Sequence, residues 1–217
     1  MMTPESETAT AILDAAECLL RTGGYDALDQ DETGRLAGVD PAHVTALYSD
    51  RADLAIAVLR RYSEGLLDGL GSPDDRSVPA GDRMRWLVRT LRRTLGDDGR
   101  MCPCATLAGE AASLPAPLVA EVRRSLDRMT GWIAQVIAAG TTSGPGPETR
   151  ARAIRILATL QGAMIVARVH RDPSLFDQIA SGVVREALRV PPRSIGNADA
   201  ERPWPARPQY EERSQSW

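Results

Sequence analysis

Apolar side chains recur along this chain at intervals of three and four residues, with no sustained run at intervals of two. That is the period of helices that bury one face. Ile12, Ala15, Ala16, Leu19 and Leu20 form the first stripe, with Thr8 placed to cap it and Gly23-Gly24 placed to end it. Two short helices are expected near 29–36 and 40–47, separated by Gly38-Val39. Asp50 is positioned to cap a fourth helix that runs through Leu54, Val58, Leu66 and Leu70 to Gly71-Ser72-Pro73. After a polar loop (73–81), Met84, Leu87, Val88, Leu91 and Leu95 mark a fifth. Its Arg83, Arg85, Arg89, Arg92 and Arg93 fall largely on other faces and read as a solvated surface.

A short helix is expected near 103–112, ahead of Leu114-Pro115-Ala116-Pro117, and a long one from about 117 to 139. The stretch GTTSGPGP (140–147) is a flexible connection. The next helix, about 148–170, begins with alternating Arg and ends in LATLQGAMIVARV, apolar on nearly every face. A helix with no wet side needs cover on two sides. With the last helix, about 173–189, it suits a symmetric four-helix interface between two copies of the chain. Leu160, Ala163, Ile165, Ala167, Phe176 and Val183 are the interface candidates. Beyond Pro191 the chain is rich in Pro, Arg and Glu, a composition expected to be disordered.

Composition supports an all-α reading, since aromatics are few and Ala, Leu and Arg are many. Charge changes the picture more. The formal net charge is −3, but residues 1–54 carry Arg21, Arg35 and Arg51 against eleven carboxylates, a local −8 that leaves +5 elsewhere. Modules that face nucleic acid lean the other way, because neutralised phosphates supply most non-specific affinity. No lysine is present, and every fixed positive side chain is Arg. Three cysteines, two of them in Cys102-Pro103-Cys104, do not make a disulfide framework. The N-terminus lacks the basic and apolar segments of a signal peptide, and no apolar stretch approaches membrane-spanning length, so a cytoplasmic protein with no membrane partner is expected.

Helix order and local motifs together resemble the TetR/AcrR family of one-component regulators over about residues 8–190. AILDAAECLLRTGGYDAL is similar to that family's opening helix and Gly-Tyr turn, LAGVD to its helix 2 to helix 3 junction, and LQGAMIVARVHRDPSLF to its dimerisation helix and exit. The resemblance implies a three-helix helix-turn-helix head (1–49), a multi-helix ligand-binding and dimerisation body (50–190) and a tail (191–217). It further implies that the third helix enters the major groove and that a small molecule in the body resets the two heads of a homodimer. The physical requirement is that the effector bind the two conformations unequally.

The head departs from that pattern. Asp29 stands where the family has a phosphate-donating Thr or Ser, and a carboxylate has no proton to donate. Gln30, Thr33 and Gly34 replace aliphatic packing residues, and Gly34 costs about 1 kcal/mol of helix propensity relative to Ala. His43, Thr45, Tyr48 and Arg51 remain as DNA-contact candidates, so the head is expected to pack and grip phosphate poorly.

In the body, Cys102 occupies a position where a subset of TetR-like proteins carries a reactive Cys; the resemblance implies a thiolate open to addition or oxidation. A buried inert Cys is the competing reading. Trp86, Met101, Leu107, Met129, Trp132 and Met164 are candidates to line an apolar ligand cavity, with Glu110 and Arg128 as polar anchors; plain core is the alternative for each. C-x-C with no further Cys or His nearby does not make a metal site, and His43 and His170 are far apart. No catalytic set is present, and no cofactor is expected. Three readings follow. The first is a ligand-responsive regulator, most simply a repressor, that takes a small hydrophobic or electrophilic ligand. The second is a protein of this fold that has left DNA and binds, or acts on, a small molecule in the former effector pocket. The third is an interaction partner that titrates another regulator by forming mixed dimers.

Overall fold

The computed structural model describes residues 4–75, 77–95, 100–140 and 144–187. Within them lie nine helices and no strand: α1 Pro4–Gly23, α2 Gln30–Ala37, α3 Pro41–Leu47, α4 Arg51–Leu70, α5 Ala80–Thr94, α6 Pro103–Gly109, α7 Ala116–Gly140, α8 Pro147–His170 and α9 Pro173–Ala187. The expected tail, from 191 onward, lies outside the described residues, as does Leu188.

Three aspartates start the three helices that follow α1. Asp29 accepts from Glu32 N–H, Asp40 from Ala42 N–H and Asp50 from Asp53 N–H, all at 2.8–2.9 Å. Gly38 (φ 69°) closes α2 in the left-handed region, and Val39 N–H returns to Gly34 C=O at 3.0 Å. Thr8, expected as a cap, instead lies inside α1, which begins at Pro4, a residue suited to a first helical turn because it has no N–H to leave unpaired.

One hydrophobic cluster runs from the head into the body. Ile12, Leu20, Leu28 and Val44 of the first three helices and their turns meet Leu54, Val58 and Leu59 of α4. The core continues through Met84, Leu87 and Leu91 of α5 to Ile133 and Val136 of α7 and Leu160 and Met164 of α8. α4 thus serves both parts.

Two surface expectations change. Arg83 is 3% exposed rather than solvated: its Nε donates to Val78 C=O at 3.0 Å, and its other nitrogens donate to the carbonyls of Pro73 and Asp75. It therefore holds the loop before α5, as the spacing of α5 alone does not reveal. On the last two helices, Leu160, Ala163, Ala167, Phe176 and Val183 are buried by the chain's own core, because α8 and α9 pack on each other and on α5 and α7. Ile165, by contrast, is exposed, together with Ile154, Val166 and Val169 on α8 and Ile179 on α9. With one face in the core and a second apolar face outside, α8 does reach the bare length and apolarity of a membrane span, contrary to expectation.

Candidate functional site

The head's polar substitutions have partners. Gln30 Nε2 donates to Tyr48 C=O at 2.8 Å, tying the start of α2 to the end of α3. Thr33, fully buried, donates to Asp29 C=O. At Gly34 a Cβ would lie 3.0 Å from Pro41 Cα and 3.1 Å from Pro41 N, so glycine lets the two helices of the motif close against each other. The expected loss of packing in this segment is thus met by hydrogen bonds and a close backbone approach.

Its electrostatics stay unfavourable to phosphate. Thr45 and Arg51 share an open hollow of about 340 Å³ whose rim includes Asp26, Asp29 and Asp31. Arg51 stacks on the Tyr25 ring at 4.2 Å and reaches Asp26 at 3.8 Å. Thr45 Oγ1 donates to Pro41 C=O within its own helix at 3.3 Å. His43 is exposed; Tyr48 is half-buried, and burial raises its phenol above the ordinary range. Arg35 is paired with Glu32. The carboxylates of Asp29 and Asp40 occupy helix-start N–H groups that otherwise can hold a phosphate.

The nine body candidates do not gather in one cavity. Arg128 and Trp132 line an open groove of about 560 Å³ between the end of α4 and α7, together with Leu67, Asp68 and Gln135. Trp132 is held there by its indole N–H, which donates to Gly71 C=O at 2.8 Å, and Arg128 lies 3.8 Å from Glu64. Cys102 and Met129 border a separate interior cavity of only about 10 Å³. Met101, Leu107 and Met164 are core side chains. Trp86 is 44% exposed on α5, on the solvent side of a helix whose register turns Met84 and Leu87 inward. Glu110 has a different role: its carboxylate accepts Tyr25 N–H at 2.9 Å and packs on Gly24, where φ is +78° and a Cβ would meet Glu110 Oε1 at 2.0 Å.

α6 accordingly stands between the head and the small cavity. At its start, Arg21 Nε donates to Met101 C=O at 2.9 Å; at its end, Glu110 holds Tyr25. Between these ties lie the two buried thiols. Contact with Cys104 is the main cause that lowers the Cys102 thiol to about 6, with Ala105 N–H and Tyr62 helping and burial opposing. The same contact, with burial, pushes Cys104 well above its ordinary range, so the pair favours one thiolate and one thiol. Ser63 Oγ bridges to Ser125 Oγ at 2.9 Å and lies 3.9 Å from Cys104 Sγ. Sequence reasoning missed Ser63, Ser125 and Gln161 at this cavity and Tyr62 beside Cys102, since none belongs to a motif and only tertiary packing brings them to the cysteines. Among the described residues no group of three or more His, Cys, Asp or Glu could hold a metal ion.

Residues 80–182 match the family described as transcriptional regulator LmrA/YxaF-like, C-terminal domain. No curated protein matches the chain by sequence. Similar solved structures include a TetR-family regulator from Agrobacterium tumefaciens, 25% identical with a TM-score of 0.73, covering 83% of this chain and 97% of that one. A TetR regulator from Legionella pneumophila is 17% identical with a TM-score of 0.75, over 85% and 97% of the two chains. Escherichia coli NemR in its reduced form is 16% identical with a TM-score of 0.69, over 81% and 95%.

Proposed function

Since this chain belongs to the TetR/AcrR family by its fold and by its C-terminal domain, we propose that it is a ligand-responsive, homodimeric transcriptional repressor whose DNA grip is weak and strongly salt-dependent. The observation that carries this reading is the position of α6. It is tied to the head through Arg21 and Tyr25, and its first turn supplies the wall of the thiol cavity. A change in the body that displaces α6 acts on the base of the DNA-reading helices, which is the differential coupling an effector needs. The groove at Trp132 and Arg128 has the volume of a small-molecule site and offers the Trp132 ring beside one cation, Arg128, and one carboxylate, Asp68, suited to a small hydrophobic ligand with a polar group. A second copy is the partner proposed for the exposed face of Ile154, Ile165, Val166, Val169 and Ile179. The protein is proposed to act in the cytoplasm.

The test is binding to the chain's own upstream DNA by fluorescence anisotropy at about 50 and about 200 mM salt. With roughly four phosphate contacts per dimer, affinity should fall about a hundredfold across that range. Replacing Asp29 and Asp40 by Ser keeps both caps and removes two carboxylates, so the double variant should bind DNA more tightly. Absence of binding by either protein at low salt would sink the regulator reading. It would leave the alternative favoured by the acidic rim at Asp26, Asp29 and Asp31: a protein of this fold that binds or transforms a small molecule without DNA.

A further inference from the structure

We propose that Cys102 and Cys104 form a two-thiol redox site that hydrogen peroxide oxidises to a disulfide within the chain. The cavity these sulfurs border, about 10 Å³, is at the lower limit for a single water, so only a very small oxidant can reach them with slight side-chain displacement, whereas flat organic electrophiles need hundreds of Å³. Hydrogen peroxide, with two heavy atoms, is the smallest common two-electron oxidant of thiols. The cavity walls combine the two sulfurs with Leu66, Leu91, Met129 and Leu157, and Gln161 Nε2 lies 4.0 Å from Cys102 Sγ. One buried oxygen on the cavity wall, Gln161 Oε1, makes no hydrogen bond. Peroxide carries O–H donors, so it can satisfy that oxygen.

The chemistry uses both thiols. Cys102 thiolate attacks one peroxide oxygen and the O–O bond breaks; the departing hydroxide takes a proton and leaves as water. Cys102 is now a sulfenic acid, its sulfur oxidised by two electrons and the peroxide reduced. Cys104 sulfur then attacks Cys102 sulfur, the S–O bond breaks, and the Cys104 proton leaves with that oxygen as a second water. In sum, two thiols and one peroxide give one disulfide and two waters. Cys104, beside Cys102 and buried with it, is the resolving thiol; Cys18 is exposed on α1 and takes no part. Shortening the sulfur–sulfur distance draws in the first turn of α6 and with it Met101, whose carbonyl anchors Arg21 of the head. That last step rests on the regulator reading; the thiol chemistry does not.

The experiment uses the full chain with Cys18→Ser, reduced and then treated with one equivalent of hydrogen peroxide. Intact mass should fall by about 2 Da, free thiols should fall from two to none, and dithiothreitol should restore both. With Cys104→Ser added, Cys102 should stop at sulfenic acid and be trapped by dimedone. Persistence of both thiols, a disulfide between chains, or sulfinic acid without disulfide in the protein that retains both cysteines would overturn the proposal. If the disulfide forms but DNA affinity is the same in reduced and oxidised protein, the link to the head is removed and the redox site stands.

Discussion

Gly34 shows how a residue that looks like a defect can be a fitting requirement. By propensity alone, Ala there should stabilise α2 by about 1 kcal/mol. The close backbone of Pro41 opposes that gain, because both Pro41 atoms belong to a rigid turn and not to a flexible side-chain end. Overpacking against such a wall costs about 1–3 kcal/mol. Gly34→Ala is therefore expected to lower stability by about 1 kcal/mol net in urea denaturation; a stabilised variant would show that the two helices can part at little cost. Gln30 and Thr33 follow the same logic. Their polarity, unexpected at packing positions, is spent on the carbonyls of Tyr48 and Asp29. No spacing rule could reveal this, because the partner of Gln30 lies eighteen residues away.

At the scale of elements, α5 and α6 depart most from their sequence appearance. One arginine of the α5 set turns inward and binds three loop carbonyls, while others stay on the surface, Arg92 pairing with Asp177 of α9. Arg83→Met keeps the apolar stem and removes every donor, leaving those carbonyls without their buried partner. A loss of about 2 kcal/mol is expected, with faster amide exchange first at residues 72, 74, 75, 77 and 78. If exchange there were unchanged, Arg83 would not be what orders the loop. At the end of α6, Glu110 has the chemistry of a ligand anchor, yet its partner is a backbone N–H of the head. A carboxylate looks the same in the sequence whether it faces a cavity or a turn. The helix boundaries, by contrast, were legible to within a few residues over most of the chain, because Asp caps, glycines and prolines act locally.

Across the whole molecule, the −8 head acquires a structural meaning. Asp29, Asp40 and Asp50 cap helices; Asp14 and Glu17 bind Arg61, and Glu32 binds Arg35. The charge thus holds the head together while opposing its approach to phosphate. The apolar outer face of α8 and α9 has its own consequence. Ile165→Asp with Val169→Asp places two charges on exposed positions that the core does not use, so the monomer should fold normally and fail to dimerise. Sedimentation should then report about half the mass of the parent protein. An unchanged mass would exclude this face as the interface.

The sequence by itself determined the all-α class, the order of the helices, the Asp50 cap of α4 and the likeness to TetR regulators, because helical period and local capping depend on residues only a few places apart, whereas Thr8 proved to lie inside α1 and the caps at Asp29 and Asp40 appeared only in the structure. It also marked α8 as needing cover on two sides. Only the tertiary structure decided which side was already covered. That depends on how α9 crosses α8, and so Leu160, Ala163, Ala167, Phe176 and Val183 belong to the core while Ile165 remains outside. The body site was decided in the same way. Trp132 and Arg128 fall on a groove and Cys102 and Met129 on a small closed cavity, because contact between distant segments is set by the packing of whole helices and not by the spacing along any one of them.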